Sequence, residues 1–230
     1  EEFSKKFPEF DGRGILIAIL DMGGVDVSLP GMRKTSEGLP KIIDCFEFTG
    51  LGNVDISTVK KVGNGKTLIL KSNRKMKNIF WTKKQKDDFN VDFIVWNNGE
   101  KWQACLVETH CKNLENAKIL TNFRDDHKYC IIYDNFACCI TIADDGNSLE
   151  LTTPDEGHGS YVAQVAAAYF PGGKPENNGS APGAQIVFMN VFSMNVPSNV
   201  AMVEKALNKC IELGVDIINF STSLPAYEDR

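Results

Sequence analysis

Three short apolar runs, each the length of a β-strand, constrain the fold of this chain more than any other feature. They occupy residues 14–20, which read GILIAIL, and the ranges 186–192 and 215–220. Runs of this length in which most or all residues are apolar are typical of strands that are buried on both faces of a parallel sheet. The first run leads into Asp21 and a glycine-rich turn, so we expect a polar side chain at the carboxyl end of a buried strand.

Two amphipathic segments accompany these strands. Residues 198–213 carry apolar side chains at helical spacing, and Ser198 and Gly214 are suited to cap the start and the end of a helix. A second helix is predicted over residues 158–170, where an alanine-rich segment is stopped by the Pro-Gly-Gly sequence at 171–173. Strands that alternate with helices predict an α/β fold, with a parallel sheet and flanking helices.

The middle of the chain has a different pattern. Asn98 and Gly99 lie between aromatic residues in the range 95–102, which predicts a β-hairpin with a tight turn. The range 130–142, followed by a polar turn and a short apolar run, predicts a second hairpin. The middle of the chain is therefore expected to be rich in β-strands.

These patterns predict a two-part organisation. Residues 1–40 and 154–230 would form an α/β domain, and residues 41–153 would form a β-rich insert within it. The chain begins at Glu1 without a methionine. We therefore expect it to be part of a longer protein.

Composition and charge exclude several classes of protein. Of the 230 residues, 43% are hydrophobic and 24% are charged, which is typical of a globular chain. No apolar run approaches the roughly 18 residues of a membrane-spanning helix. The net charge of −5 gives no reason to expect nucleic acid or a membrane as a partner, and the basic segment at 60–86 resembles a solvated loop. Seven cysteines, two of them adjacent, do not suggest a disulfide framework, which favours a cytoplasmic location.

Asp21 and His158 are the strongest candidates for chemistry. Each is ambiguous alone, because a carboxylate at the end of a buried strand often only bonds loop amides and a histidine in the first turn of a helix is often structural. Together they are more specific, since each stands at the start of a glycine-containing turn or helix. A metal site formed by Asp155, Glu156 and His158 is disfavoured, because two acids and a histidine within four loop residues are common. The glycines near residue 12 precede the first strand, which disfavours nucleotide binding.

The order of these motifs resembles that of the subtilisin-like serine peptidases and, within that family, the tripeptidyl-peptidase branch. The matching segments are DGRGILIAILD at 11–21, LPGM at 29–32, HGSYVA at 158–163, NGSAPGAQI at 178–186 and DIINFS at 216–221. The ranges 96–105 and 133–147 are similar to the long insert that this branch has between its aspartate and histidine motifs. The resemblance covers nearly the whole chain.

This resemblance implies peptide-bond hydrolysis by an Asp-His-Ser triad. Asp21 would accept the Nδ1 proton of His158, and the Nε2 atom would take the proton of the serine. Ser221, Thr222 and Ser223 would belong to the edge strand that pairs with the substrate backbone. The resemblance places the nucleophilic serine and the oxyanion asparagine beyond this chain. It therefore implies an α/β domain that is incomplete at its carboxyl end and a chain that is inactive alone.

The resemblance also bears on cofactors and partners. It implies a peptide substrate and no cofactor or metal, since acyl transfer by a triad needs none. It implies no nucleic-acid or membrane partner. Members of the branch assemble into very large homo-oligomers in the cytosol, so a large homo-oligomer of the parent protein is expected.

Several positions depart from the family pattern. Met22 replaces the hydroxyl residue that usually follows the aspartate, and Tyr161 stands where the family has a second histidine. Ser223 replaces a glycine near the substrate strand, while Ser198 and Leu224 occupy the positions of acidic residues that hold the free amino terminus of the substrate. These departures leave a second hypothesis open, in which the parent protein is a decayed pseudopeptidase that serves as a binding or assembly module.

Overall fold

The computed structural model describes residues 2–54, 56, 59–61, 67–76, 89–107, 118–132, 136–154, 156–194, 196–197 and 199–221. In this part of the chain the α-helices are α1 (Glu2–Lys6), α2 (Phe123–Asp126), α3 (His158–Ala167) and α4 (Val200–Leu213). The strands are β1 (Leu16–Met22), β2 (Ile42–Glu47), β3 (Asn53–Val54), β4 (Val59–Lys61), β5 (Thr67–Met76), β6 (Phe89–Asn97), β7 (Trp102–Val107), β8 (Ile119–Leu120), β9 (Cys130–Ile132), β10 (Phe136–Ile142), β11 (Leu149–Thr152), β12 (Gln185–Phe192) and β13 (Ile217–Phe220). None of the described helices is long and apolar enough to cross a membrane.

A parallel sheet with helices on both faces forms the frame of the molecule. Its strands lie in the order β13-β1-β12-β2, so β1 has a parallel partner on each side. Alternate side chains of β1 and β12 pack against α3 on one face and against α4 on the other. The predicted α/β fold with a parallel sheet and flanking helices is therefore confirmed.

The first strand begins two residues later than its apolar run. Gly12 and Gly14 have φ angles of 85° and 78°, a left-handed conformation that ends extended structure. The strand therefore starts at Leu16 and continues through Asp21 to Met22. Asp21 is paired with Asn190 of β12, so the carboxylate belongs to the strand, near its carboxyl end, and not to the turn that follows.

The two long helices differ slightly from their predicted ranges. Asn199 is the N-cap residue of α4, and its side chain accepts a hydrogen bond of 2.9 Å from the Ala201 N–H, so the prediction of a Ser198 cap is wrong. Gly214, with φ of 66°, ends α4 as predicted. Helix α3 ends at Ala167, three residues early, because Ala168 has an extended ψ angle of 141°.

Strand β2 lies in the parallel sheet, although its residues fall inside the predicted insert of 41–153. It pairs in parallel with β12, from Ile42 opposite Ile186 to Glu47 opposite Asn190. The rest of that range that the structure describes forms two antiparallel sheets, ordered β3-β11-β10-β9 and β4-β5-β6-β7-β8. These sheets share an apolar core of their own, which includes Phe93, Leu120 and Ile140.

Both predicted hairpins form. Strands β6 and β7 pair from Asp92 to Asn97, and the turn centres on Gly99 and Glu100, one residue later than expected. There the Asn98 N–H donates to Lys101 O at 3.2 Å, and Gly99 has φ of 100°. The second hairpin joins β10 to β11. Most of the basic segment at 60–86 lies outside the described residues.

Candidate active site

Asp21 is fixed at the carboxyl end of the central strand β1. Its side chain is fully buried, and its Oδ1 atom accepts a hydrogen bond of 2.7 Å from the Met22 N–H. The Oδ2 atom accepts no hydrogen bond from the described residues. Because β1 is paired on both sides, the backbone that carries this carboxylate is held rigidly.

His158 is the first residue of α3 and contacts this carboxylate directly. Its Nδ1 atom lies 2.5 Å from Asp21 Oδ1, across 137 positions of sequence. Gly157 precedes it as the N-cap, with φ of 70°, a conformation that glycine adopts readily. The imidazole is 46% exposed, so the ring touches the buried aspartate at one side and solvent at the other.

Close packing around the start of α3 sets the position of the histidine. A Cβ atom on Gly159 would lie 2.4 Å from the buried ring of Phe188, so only a glycine lets the helix approach the sheet this closely. Ser160 Oγ accepts a hydrogen bond of 2.8 Å from the Asp26 N–H in the loop after β1. The first turn of α3 is thereby joined both to β12 and to the chain that leaves β1.

This geometry suits a particular kind of proton transfer. A carboxylate that accepts the Nδ1 proton of an imidazole fixes the ring in one tautomer and stabilises its protonated form. The second ring nitrogen is then available to take a proton from an incoming hydroxyl group. An Asp-His pair of this form can therefore act as a general base toward a nucleophile.

The structure describes only one of the three residues that are predicted to bind the substrate. Ser221 directly follows β13 and is exposed, and its hydroxyl group donates to Asn219 Oδ1 at 2.9 Å. Thr222 and Ser223 lie outside the described residues, as do Ser198 and Leu224. Tyr161 is 68% exposed, so the core does not have to accommodate its ring.

The structure reveals a polar row that the sequence analysis did not predict. Asn190 is the register partner of Asp21 on one side and of Glu47 on the other, so three adjacent parallel strands carry polar side chains near their carboxyl ends. The Asn190 Nδ2 atom donates to Glu47 Oε2 at 2.6 Å. The sequence holds a signal for two members of this row, since Asp21 follows the first apolar run and Asn190 interrupts the run at 186–192. Glu47 falls inside the predicted insert, so the sequence does not connect it with them.

Glu156 is a second residue whose structural position was missed. From the sequence, Glu156 is a candidate only for the disfavoured metal site. Its Oε1 atom accepts hydrogen bonds of 3.1 Å from the Ser193 hydroxyl group and from the Met194 N–H, in the segment that follows β12. Within the described part of the chain, no group of three or more His, Cys, Asp or Glu side chains is arranged to hold a metal ion.

Comparisons with known proteins agree with this architecture. The model of the Subtilase family matches residues 12–227. Tripeptidyl-peptidase 2 of Caenorhabditis elegans is 30% identical over 96% of this chain, and tripeptidyl-peptidase 2 of Arabidopsis thaliana is 26% identical over 97%. The crystal structure of tripeptidyl peptidase 2 superposes with a TM-score of 0.77 at 20% identity, over 95% of this chain.

The matches cover only a small part of each relative. They span 22% and 23% of the two curated relatives and 24% of the solved chain, so this chain spans less than a quarter of their length. The predicted subtilisin-like fold and the resemblance to the tripeptidyl-peptidase branch are both confirmed. With a family model that matches almost from end to end, the chain belongs to the subtilase family of serine peptidases.

Proposed function

We propose that this chain is the part of a tripeptidyl-peptidase-like serine peptidase that bears the aspartate and histidine of the triad. Asp21 and His158 are the catalytic pair, and the serine and the oxyanion asparagine come from residues outside these 230. The contact of 2.5 Å between His158 Nδ1 and Asp21 Oδ1 carries this proposal. It uses Nδ1, which leaves Nε2 available for the serine, and the carboxylate is buried, as triad chemistry requires.

The proposed mechanism gives each nitrogen of the imidazole one role: Nδ1 keeps its hydrogen bond to Asp21, and Nε2 transfers the proton. Asp21 holds the Nδ1 proton and stabilises the imidazolium ion, while Nε2 removes the proton of the serine as it attacks the peptide carbonyl. The imidazolium ion then returns the proton to the leaving amine, and water hydrolyses the acyl-enzyme in the same way. No metal or organic cofactor takes part in these steps.

The peptide substrate is proposed to lie along the segment that follows β13. Among the described residues β13 is at the edge of the parallel sheet, and Ser221, which follows this strand, is exposed to solvent. An exposed strand edge has unpaired backbone groups that an extended peptide can bond, and Ser221, Thr222 and Ser223 are proposed to do so. A cytoplasmic location and a large homo-oligomeric assembly belong to the same proposal.

A serine-directed phosphonate probe tests the division of the triad. We expect the 230-residue chain to remain unlabelled, because Asp21 and His158 alone have no nucleophile to offer. The longer gene product should be labelled and should release tripeptides from peptides with a free amino terminus. Asp21→Asn in that product should lower kcat by on the order of 10³- to 10⁴-fold, since the wrong tautomer of His158 is then favoured. Labelling of the 230-residue chain would contradict the proposal.

The second hypothesis, a pseudopeptidase that binds or assembles without turnover, has one observation in its favour. Met22 offers no hydroxyl group, and the buried Oδ2 atom of Asp21 accepts no hydrogen bond from the described residues. An Asp21 environment with one unsatisfied oxygen is a costly arrangement for a triad to retain. A longer gene product that binds peptides but neither hydrolyses them nor reacts with the phosphonate probe would favour this alternative.

A further inference from the structure

Three segments meet at Glu156. The His158 N–H donates to the Glu156 carbonyl oxygen at 2.9 Å, which closes the turn that starts α3. A Cβ atom on Gly23 would lie 2.9 Å from the Glu156 Cβ atom, so the chain that leaves β1 passes directly beside it. Its carboxylate accepts bonds from Ser193 and Met194, which leave β12. Glu156 therefore contacts the segments that follow β1 and β12, and it belongs to the turn that begins α3.

The character of these bonds makes Glu156 more than a packing contact. A carboxylate that accepts a backbone N–H and a hydroxyl group forms charge-assisted bonds, which are stronger than neutral ones. Met194 is 75% exposed, so its backbone has little apolar packing to hold it in place. Without the Glu156 carboxylate, the segment after β12 would lose both of these hydrogen bonds to the turn before His158.

We propose that Glu156 is a positioning residue of the active site: its carboxylate fastens the segment after β12 to the turn that begins α3, and thereby holds His158 against Asp21. This inference rests on the proposed function for its catalytic meaning. It gives Glu156 no contact with the substrate or with the transferred proton. The residue acts through the backbone of residues 156–158 and through Met194.

Hydrogen exchange and NMR of the 230-residue chain test the structural half of this proposal. In Glu156→Ala, the Met194 amide should exchange about tenfold to a hundredfold faster than in the wild type, because it loses a bond to a charged acceptor. The low-field proton resonance of His158 Nδ1 should broaden or disappear. Glu156→Gln keeps an oxygen at the Oε1 position, so it should restore both signals. The matched control is Glu204→Ala, which removes an exposed glutamate from α4 and should change neither.

Kinetics of the longer gene product test the catalytic half. Glu156→Ala should lower kcat about tenfold with KM changed less than about twofold, and Glu156→Gln should recover most of the loss. Unchanged Met194 exchange and an unchanged His158 resonance in Glu156→Ala would overturn the proposal, as would a Gln variant that is no better than Ala. Failure of the proposed function looks different: the wild-type product then hydrolyses no peptide, while exchange and NMR still decide the role of Glu156.

Discussion

Two buried ionisable residues near the start of β2 differ in how well the protein compensates for the burial of their charge. Lys41 is fully buried, and its Nζ atom donates to Pro182 O at 2.7 Å and to Ala184 O at 2.8 Å, while burial lowers its pKa to about 8. Asp44 has fewer partners. It accepts the Cys45 N–H at 2.9 Å and lies 3.9 Å from Arg124, and burial raises its pKa to about 6. The ionised form of Asp44 is therefore a cost to the folded state.

Asp44→Asn should stabilise the protein at neutral pH. The pKa of Asp44 is about 6 in the folded chain, against about 3.9 for an unfolded aspartate. The penalty for its charge is thus fully present above pH 6 and disappears as the pH falls to about 4. We expect the Asn variant to gain about 1 to 3 kcal/mol in the free energy of unfolding at pH 8 and almost nothing at pH 4.

Urea unfolding at a series of pH values measures this difference. The control is Asp144→Asn, which changes an exposed aspartate in the turn between β10 and β11. It should leave the free energy of unfolding nearly unchanged at both pH values. A stabilisation by Asp44→Asn that stays constant from pH 8 to pH 4 would show that the buried charge is not its cause.

At the scale of elements, the sequence predicts what is local and misses what depends on distant partners. The largely apolar sequences of β1 and β12 show that they are buried strands. Strand β2 reads IIDCFE, and its two acids hide its place in the same sheet. Glu47 is tolerated there because it bonds Asn190, which is 143 positions away. No local pattern contains that information.

The same division applies to the candidate active site. Asp21 and His158 could be paired from the sequence because each belongs to a recognisable motif. Glu156 could not be assigned, because its partner Ser193 is 37 positions away and belongs to no motif. A carboxylate next to a histidine has many ordinary explanations, and only the fold distinguishes them.

The corrected start of α4 gives a prediction for this element. Asn199→Ala should lower the free energy of unfolding by about 1 kcal/mol, because the Ala201 N–H then loses its side-chain acceptor. Asn199→Ser should recover most of this loss, since serine is an equally good N-cap residue. Thermal unfolding of the three proteins, compared at equal concentration, measures the effect. An Asn199→Ala variant as stable as the wild type would contradict the cap assignment.

At the scale of the whole molecule, apolar side chains are exposed on one edge of the parallel sheet. In strand β13, Ile217 is 51% exposed and Phe220 is 37% exposed. Within the described residues β13 has a strand partner on one side only, which leaves backbone donors and acceptors unpaired as well. Exposed apolar side chains beside an open strand edge favour association.

We therefore expect the 230-residue chain to self-associate as its concentration rises. Ile217→Lys should reduce the association, because it places a charge on the strand edge. The control is Val165→Lys, which changes an apolar side chain that is 53% exposed on helix α3, away from any strand edge, and should have little effect. Sedimentation velocity over a range of concentrations measures the outcome. A chain that stays monomeric throughout, or two variants with equal effects, would contradict this expectation.

The contact between Asp21 and His158 has a consequence for how this protein can change in evolution. Strands β1 and β12 pair directly, and α3 packs on them, so the elements that hold the two residues support one another. The long segment between them starts after Asp21, at the carboxyl end of β1, and ends beside the same residue at His158. Because each doubling of a loop's length costs only about 0.6 kcal/mol in closure entropy, the antiparallel part that lies between β2 and α3 can become longer or shorter in evolution without moving these two side chains apart.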